Sequence, residues 1–279
     1  GVPEIQGTLL PGLQSWEWAH DDGFDYSTED LLPRGPMPSK WMEYRGHYLH
    51  GDKVVLSYAI NGRAVLEVPS KATGFRAIVH TLRVGPGTQA LQLSVTQLGG
   101  EGARRGFLDP KASTVNLKDR KTGSGDQLAV IGFPAKGPLE RFVAAATFGE
   151  IDGLNWSFDS GGRTTLTIPA SKKSRLFQVI RYSEKTDAQL LSMAGYLGHL
   201  KLKNALPDPA KLLRGGKQRW PEVATTKGSL GKGEAPYLMD TLTLPAKKPG
   251  KVWFRTSAIA FFPDGRMAIC THGGDVWIV

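Results

Sequence analysis

The chain has 279 residues, 40% hydrophobic and 22% charged, enough for one large domain or two ordinary ones. Its formal charge of +9 is uneven: residues 1–35 carry seven acids against one base, Arg34, a net −6 that leaves +15 on the remainder. No run approaches the roughly 18 apolar residues of a membrane span, and one cysteine, Cys270, excludes an internal disulfide framework.

Residues 1–35 read as an irregular acidic segment. "GVPEIQGTLLPG" and "LLPRGPMPSK" are rich in breakers. Between them "SWEWAHDDGFDYSTED" is expected to lie as a long loop over a larger body. The first residues show no basic start followed by an apolar core, so no signal peptide is read in them.

Residues 36–202 read as an antiparallel β-sandwich-like domain. In "GDKVVLSYAINGRAVLEVP" the pair Asn61 and Gly62 supplies the two positive-φ positions of a type I′ turn between β-branched, apolar runs. "FRAIVHTLRVG" is a strand. "QALQLSVTQLG" alternates Leu91, Leu93 and Val95 against Gln92 and Ser94, the period of a half-buried strand. Residues 99–126 read as an exposed glycine-rich excursion with one short strand at "STVNL". "QLAVIGFP" and "RFVAAATFG" are two further strands, "LNWSFDSGGRTTLTIPA" a hairpin turning at Ser160, Gly161 and Gly162, and "SRLFQVIRYS" a strand. "KTDAQLLSMAGYLGHL" is the best helix, with Leu190, Met193, Leu197 and Leu200 near one face.

Residues 203–236, rich in Pro, Gly and Lys, read as a linker, with "YLMDTLTLP" as a strand after it. Residues 237–279 close on "AIAFFPDGRMAICTHGGDVWIV", strand–turn–strand–turn–strand. This is the pattern of a propeller blade, which cannot bury its own faces without neighbours. The expected fold is therefore all-β: a sandwich-like domain plus the first blade of a truncated β-propeller. Cys270 falls on a blade strand and is expected to be a small buried residue.

"WMEYRGHYLHGDKVVLSYAINGRAVLEVP", "RWPEVATTKGSLG" and the closing stretch carry a resemblance. They are similar to large exported bacterial proteins of unknown function, in which a β-rich N-terminal module precedes a propeller like that of sorbosone and glucose dehydrogenases, often followed by a c-type cytochrome domain. The resemblance implies an exported, periplasmic or cell-surface location. It also implies a partner in the remainder of the same propeller, and quinone and haem c elsewhere in the parent protein. None of these cofactors is expected within residues 1–279.

Candidate sites are few. Trp16 and Trp18, two apart on an extended segment, share a face and suit the stacking of a sugar ring. Trp156, inside a hairpin, reads as core. His47, His50 and Asp52 cluster at a strand entrance but lack the further ligands of a metal site. Asp21, Asp22 and Asp25 offer oxygens for calcium without matching the D-x-D-x-D-G loop, so no metal is assigned. No nucleophile elbow or phosphate loop is present. The lysines and arginines form no basic helix and no zinc finger, which argues against nucleic acid. The expected function is a non-catalytic binding or scaffold module of a larger sugar-dehydrogenase-like protein. The alternatives are a carbohydrate-binding or carbohydrate-active sandwich and a structural spacer.

Overall fold

The hairpin encoded by Asn61 and Gly62 sits near the start of the larger sheet. In the computed structural model, β1 (Met42–His50) pairs with β2 (Lys53–Ile60), and β2 with β3 (Arg63–Lys71). Asn61 and Gly62 adopt φ of 46° and 74°, the left-handed pair a type I′ turn demands. The structure describes residues 17–19, 23–24, 37–72, 77–109, 111–134, 139–184, 186–200, 206–217, 221, 223–234, 236–245 and 253–279.

The chain continues through β4 (Ala77–Val84), β5 (Leu91–Gln97), β6 (Arg104–Leu108), β7 (Thr122–Ser124), β8 (Leu128–Pro134) and β9 (Leu139–Gly149). β10 (Asn155–Phe158), β11 (Arg163–Ile168), β12 (Arg175–Glu184) and the helix α1 (Asp187–Leu200) follow. Among the described residues the larger sheet has the order β1-β2-β3-β4-β12-β9-β8-β6 and the smaller one β5-β11-β10-β7. Every pairing is antiparallel. The fold is all-β, as its alternating runs require.

The two sheets face each other across a core filled from both sides, by Trp156, Leu166 and Ile168 from the smaller sheet and Ile60, Leu82 and Phe177 from the larger. The opposite face of the larger sheet is also buried. There Phe142, Val130 and Ile180 meet Leu190, Met193 and Leu197 of α1. This explains the continuous apolar runs of β8 and β9: both faces are covered, so neither needs polar residues. The expected helix face is the one buried. A reciprocal cap starts the helix, with the Thr186 hydroxyl accepting from Gln189 N–H at 3.3 Å and Gln189 Oε1 accepting from Thr186 N–H at 3.0 Å.

Two expectations are corrected. "STVNL" is not a strand; the excursion instead contributes β6 and β7, because Phe107 and Leu108 anchor β6 against buried clusters. "YLMDTLTLP" forms no strand beyond one bridge, Ser229 to Thr241, and leaves Tyr237 and Met239 exposed. A short 3-10 turn, Pro209–Leu212, follows Asp208, whose carboxylate accepts from Arg83 of β4 at 2.9 Å. The first compact unit accordingly runs to Gly216.

The second unit, Lys217–Val279, contains a three-stranded antiparallel sheet of β13 (Thr256–Phe261), β14 (Met267–Thr271) and β15 (Val276–Ile278). Its turns carry positive φ at Gly265 and Gly274, as the Pro-Asp-Gly and Gly-Gly-Asp stretches imply. Cys270 is half-buried and not sealed in a core, since both faces of this sheet remain partly open.

Two glycine substitutions should separate backbone strain from crowding. Gly62→Ala has open space around its new Cβ and should cost about 1 kcal/mol from φ alone. Gly162→Ala has φ of 77° and drives its Cβ into the Leu98 carbonyl, so it should cost roughly 3 kcal/mol or more in urea unfolding.

Candidate functional site

The inward face of β3 reads Arg63, Val65, Glu67, and both of its charged members are buried. Arg63 is structural: its Nε donates to the Gly85 carbonyl at 3.1 Å and Nη1 to those of Gln89 and Pro169, tying the β4–β5 and β11–β12 loops together. Glu67 is different. It is 5% exposed and surrounded by titratable side chains from neighbouring strands. Tyr58 of β2 donates its hydroxyl to Glu67 Oε2 at 2.6 Å, and His80 of β4 holds Oε1 through Nδ1.

Residues 17–19 cover this cluster. They pair with β5 as a short additional strand, Ser94 N–H donating to the Glu17 carbonyl and Ala19 N–H to that of Gln92. Trp18 points inward, 4% exposed, and its Nε1 donates to the Tyr58 hydroxyl at 3.2 Å. The Trp18 and Tyr58 rings meet edge to face, 6.4 Å between centroids. Glu17 forms an ion pair with Arg181 of β12. Further along the same segment, Phe24 is buried with the Arg163 guanidinium 4.6 Å from its ring centre.

The result is a directed chain of hydrogen bonds, from the Trp18 indole to the Tyr58 oxygen, and from the Tyr58 hydroxyl to the Glu67 carboxylate, with His80 on the other oxygen. An ionised Glu67 can only accept, so Nδ1 carries the hydrogen and Nε2 is left as the free end of the imidazole. Burial by itself would raise the Glu67 carboxyl. The hydrogen bond and charge of His80, the Tyr58 hydroxyl and the Arg181 charge together outweigh it and hold the group below its ordinary value. Burial, then the Glu67 charge, pushes the Tyr58 phenol well above its usual range, so it remains a donor. A carboxylate with both oxygens occupied and a histidine oriented by one of them is an arrangement that can bind or relay a proton.

The residues singled out in the sequence are placed differently. Trp18 is no surface platform; its ring fills the core and its indole N–H is spent on Tyr58, which corrects its role in sugar stacking. Trp16, Asp21, Asp22 and Asp25 lie outside the described residues. Trp156 is fully buried, as its place in a hairpin suggests. His47 is exposed on β1 and hydrogen-bonds through Nδ1 to the Tyr44 hydroxyl at 2.9 Å. His50 is half-buried, and the register puts it on the opposite face: His47 faces Leu56, His50 faces Lys53. The two histidines do not converge, and no group of three metal-ligating side chains occurs among the described residues.

Glu17, Tyr58, Glu67, His80 and Arg181 were not foreseen. The available signal was Glu67, a charged residue in the inward phase of "RAVLEV". Its partners come from other strands, and only pairing registers bring them together.

The model of a domain of unknown function, DUF6797, matches residues 1–67. The matched stretch ends on Glu67 and includes Glu17, Trp18 and Tyr58, while His80 and Arg181 lie beyond it. No curated protein and no solved structure matches the chain.

Because the Glu67 carboxyl is held low in the folded state, its stabilising contribution is present above the ordinary carboxylate value, about 4.3, and is lost as pH falls below that. Urea unfolding from pH 7 to 3 should show wild type losing stability in the acid window. Glu67→Gln should be less stable at pH 7 by about 2 kcal/mol and have a flatter acid limb.

Proposed function

We propose that this chain is a non-catalytic, β-rich binding and scaffold module that joins other β-sheet bodies through its three-stranded sheet. The observation that carries this reading is apolar exposure on both faces of that sheet. Ile259 and Phe261 of β13 lie on the face of Met267 and Ile269, and Phe261 is 75% exposed. Val276 and Ile278 of β15 lie on the other face, with Ala268 and Cys270, and are also exposed. A sheet covered by one partner needs one apolar face. Apolar side chains on both faces suit a sheet stacked between two others, the position of a propeller blade.

The resemblance to exported proteins with a dehydrogenase-like propeller supports the same reading. On it, the stacking partners are sheets of that propeller, and quinone and haem c belong to other parts of the assembly. The proposal places the module outside the cytoplasm, where such assemblies work.

A second reading has its own observation. Tyr44, 60% exposed, lies on β1 beside His47, an aromatic face with a polar neighbour of the kind that holds a sugar ring. On this reading the first unit binds carbohydrate.

Hydroxyl-radical labelling distinguishes buried from free apolar side chains. In the chain alone, Ile259, Phe261 and Ile278 should label as readily as Tyr237; in the protein isolated from its source cells they should be strongly protected. Equal labelling in both would remove the docking reading. A glycan array tests the second: retention on immobilised sugars that Tyr44→Ala weakens about tenfold supports it, a loss of about 1.4 kcal/mol.

A further inference from the structure

The Arg181 guanidinium is incompletely used. Its Nη2 meets one oxygen of Glu17, while its Nε is buried and has no partner among the described residues. A buried N–H without an acceptor is unfavourable, because it has given up water and gained no replacement. The group that satisfies Nε and Nη2 together is a carboxylate approaching side-on, both oxygens in the plane of the fork. Glu17 supplies only one of those contacts.

The surroundings fit a small anion. In register across the sheet, Lys71, Ile78 and Arg181 lie side by side on β3, β4 and β12, so two cations flank an exposed isoleucine. His80 is two residues along β4 from Ile78 on the same face, with Nε2 unpartnered among the described residues. The nearby acid Glu67 is already engaged through both oxygens by Tyr58 and His80, and so does not compete for Arg181. Glu17 is the competitor. Its side chain is about a third exposed, and its pairing to β5 is made by its backbone carbonyl and not by the carboxylate.

We propose that Arg181 is the anchor of a binding site for small carboxylates, and that Glu17 is its resident occupant, displaced when a free carboxylate binds. The Ile78 side chain is the wall for the apolar part of the ligand. Lys71 adds attraction from the solvent side, and His80 offers a second polar contact. The site does not depend on the docking reading of the terminal sheet.

The probe is sodium acetate, titrated at constant ionic strength against sodium chloride, and the readout is the arginine Nε–Hε region of the nitrogen–proton NMR spectrum. Loss of one resonance in Arg181→Lys assigns Arg181. In wild type that resonance should shift saturably with acetate and not with chloride. Glu17→Gln removes the competitor and should tighten acetate binding about tenfold, since an occupied site lowers apparent affinity by the fraction that is free. The Trp18 indole resonance, assigned with Trp18→Phe, reports whether the covering strand stays in place in Glu17→Gln. If it does not, Glu17→Asp, which shortens the competitor and keeps its charge, takes its place and should also bind acetate more tightly than wild type. No saturable acetate-specific shift, or equal affinity with and without the Glu17 carboxylate while the strand is in place, overturns the proposal.

Discussion

The middle of the larger sheet has no polar face, and the arrangement of the first unit follows from that constraint. β8, β9 and β12 carry apolar side chains in both phases of their alternation, so each face must be covered. The smaller sheet covers one and α1 the other. Strands that could leave one face in water would tolerate many arrangements; strands that cannot leave either face there accept very few. In the order β4-β12-β9-β8-β6 each of these apolar strands is paired along both of its edges, so none of them forms the rim of the sheet.

Toward β1 the constraint relaxes and polar chemistry enters. The inner face still points toward the smaller sheet at Tyr58, Glu67 and His80, but there the cover is a short strand from the acidic N-terminal segment. Trp18 supplies the apolar area and Glu17 the charge, so the segment seals the core and neutralises Arg181 at once. A buried ion cluster of this sort contributes little net stability compared with apolar packing of the same volume. Its value lies in specificity: a covering strand shifted by one residue would turn Trp18 outward and set Glu17 facing the core.

Much of the fold was legible because local chemistry encodes it. Asn61 and Gly62, the glycines after Ser160, and the two-residue period of Leu91, Leu93 and Val95 each specify an element without reference to the rest of the chain. The failures have a common cause. β6 has only Phe107 and Leu108 as large apolar residues within a charged, glycine-rich stretch, so its pattern is too short to stand out. "YLMDTLTLP" has strand-like composition but meets no partner edge beyond one bridge. The polar cluster was hidden for a stronger reason. Arg181 and Glu17 are 164 positions apart, and each member looks like an ordinary strand or loop residue until the registers are known. Trp18 misled because spacing reports which residues share a face, not which way that face points.

The bulge in β1 has a consequence for how the larger sheet ends. Pairing with β2 shifts between Tyr44 and Gly46, and Gly46 takes φ of 111°, a conformation side-chain-bearing residues avoid. The strand is therefore kinked on the side away from β2, and the Leu49 carbonyl there is already taken by Gly216 N–H at 2.8 Å. A second chain seeking to extend the sheet would meet an interrupted ladder and an occupied acceptor. The outermost strand thus protects against edge-to-edge aggregation, and any substitution that straightened Gly46 would trade a solvated rim for a template.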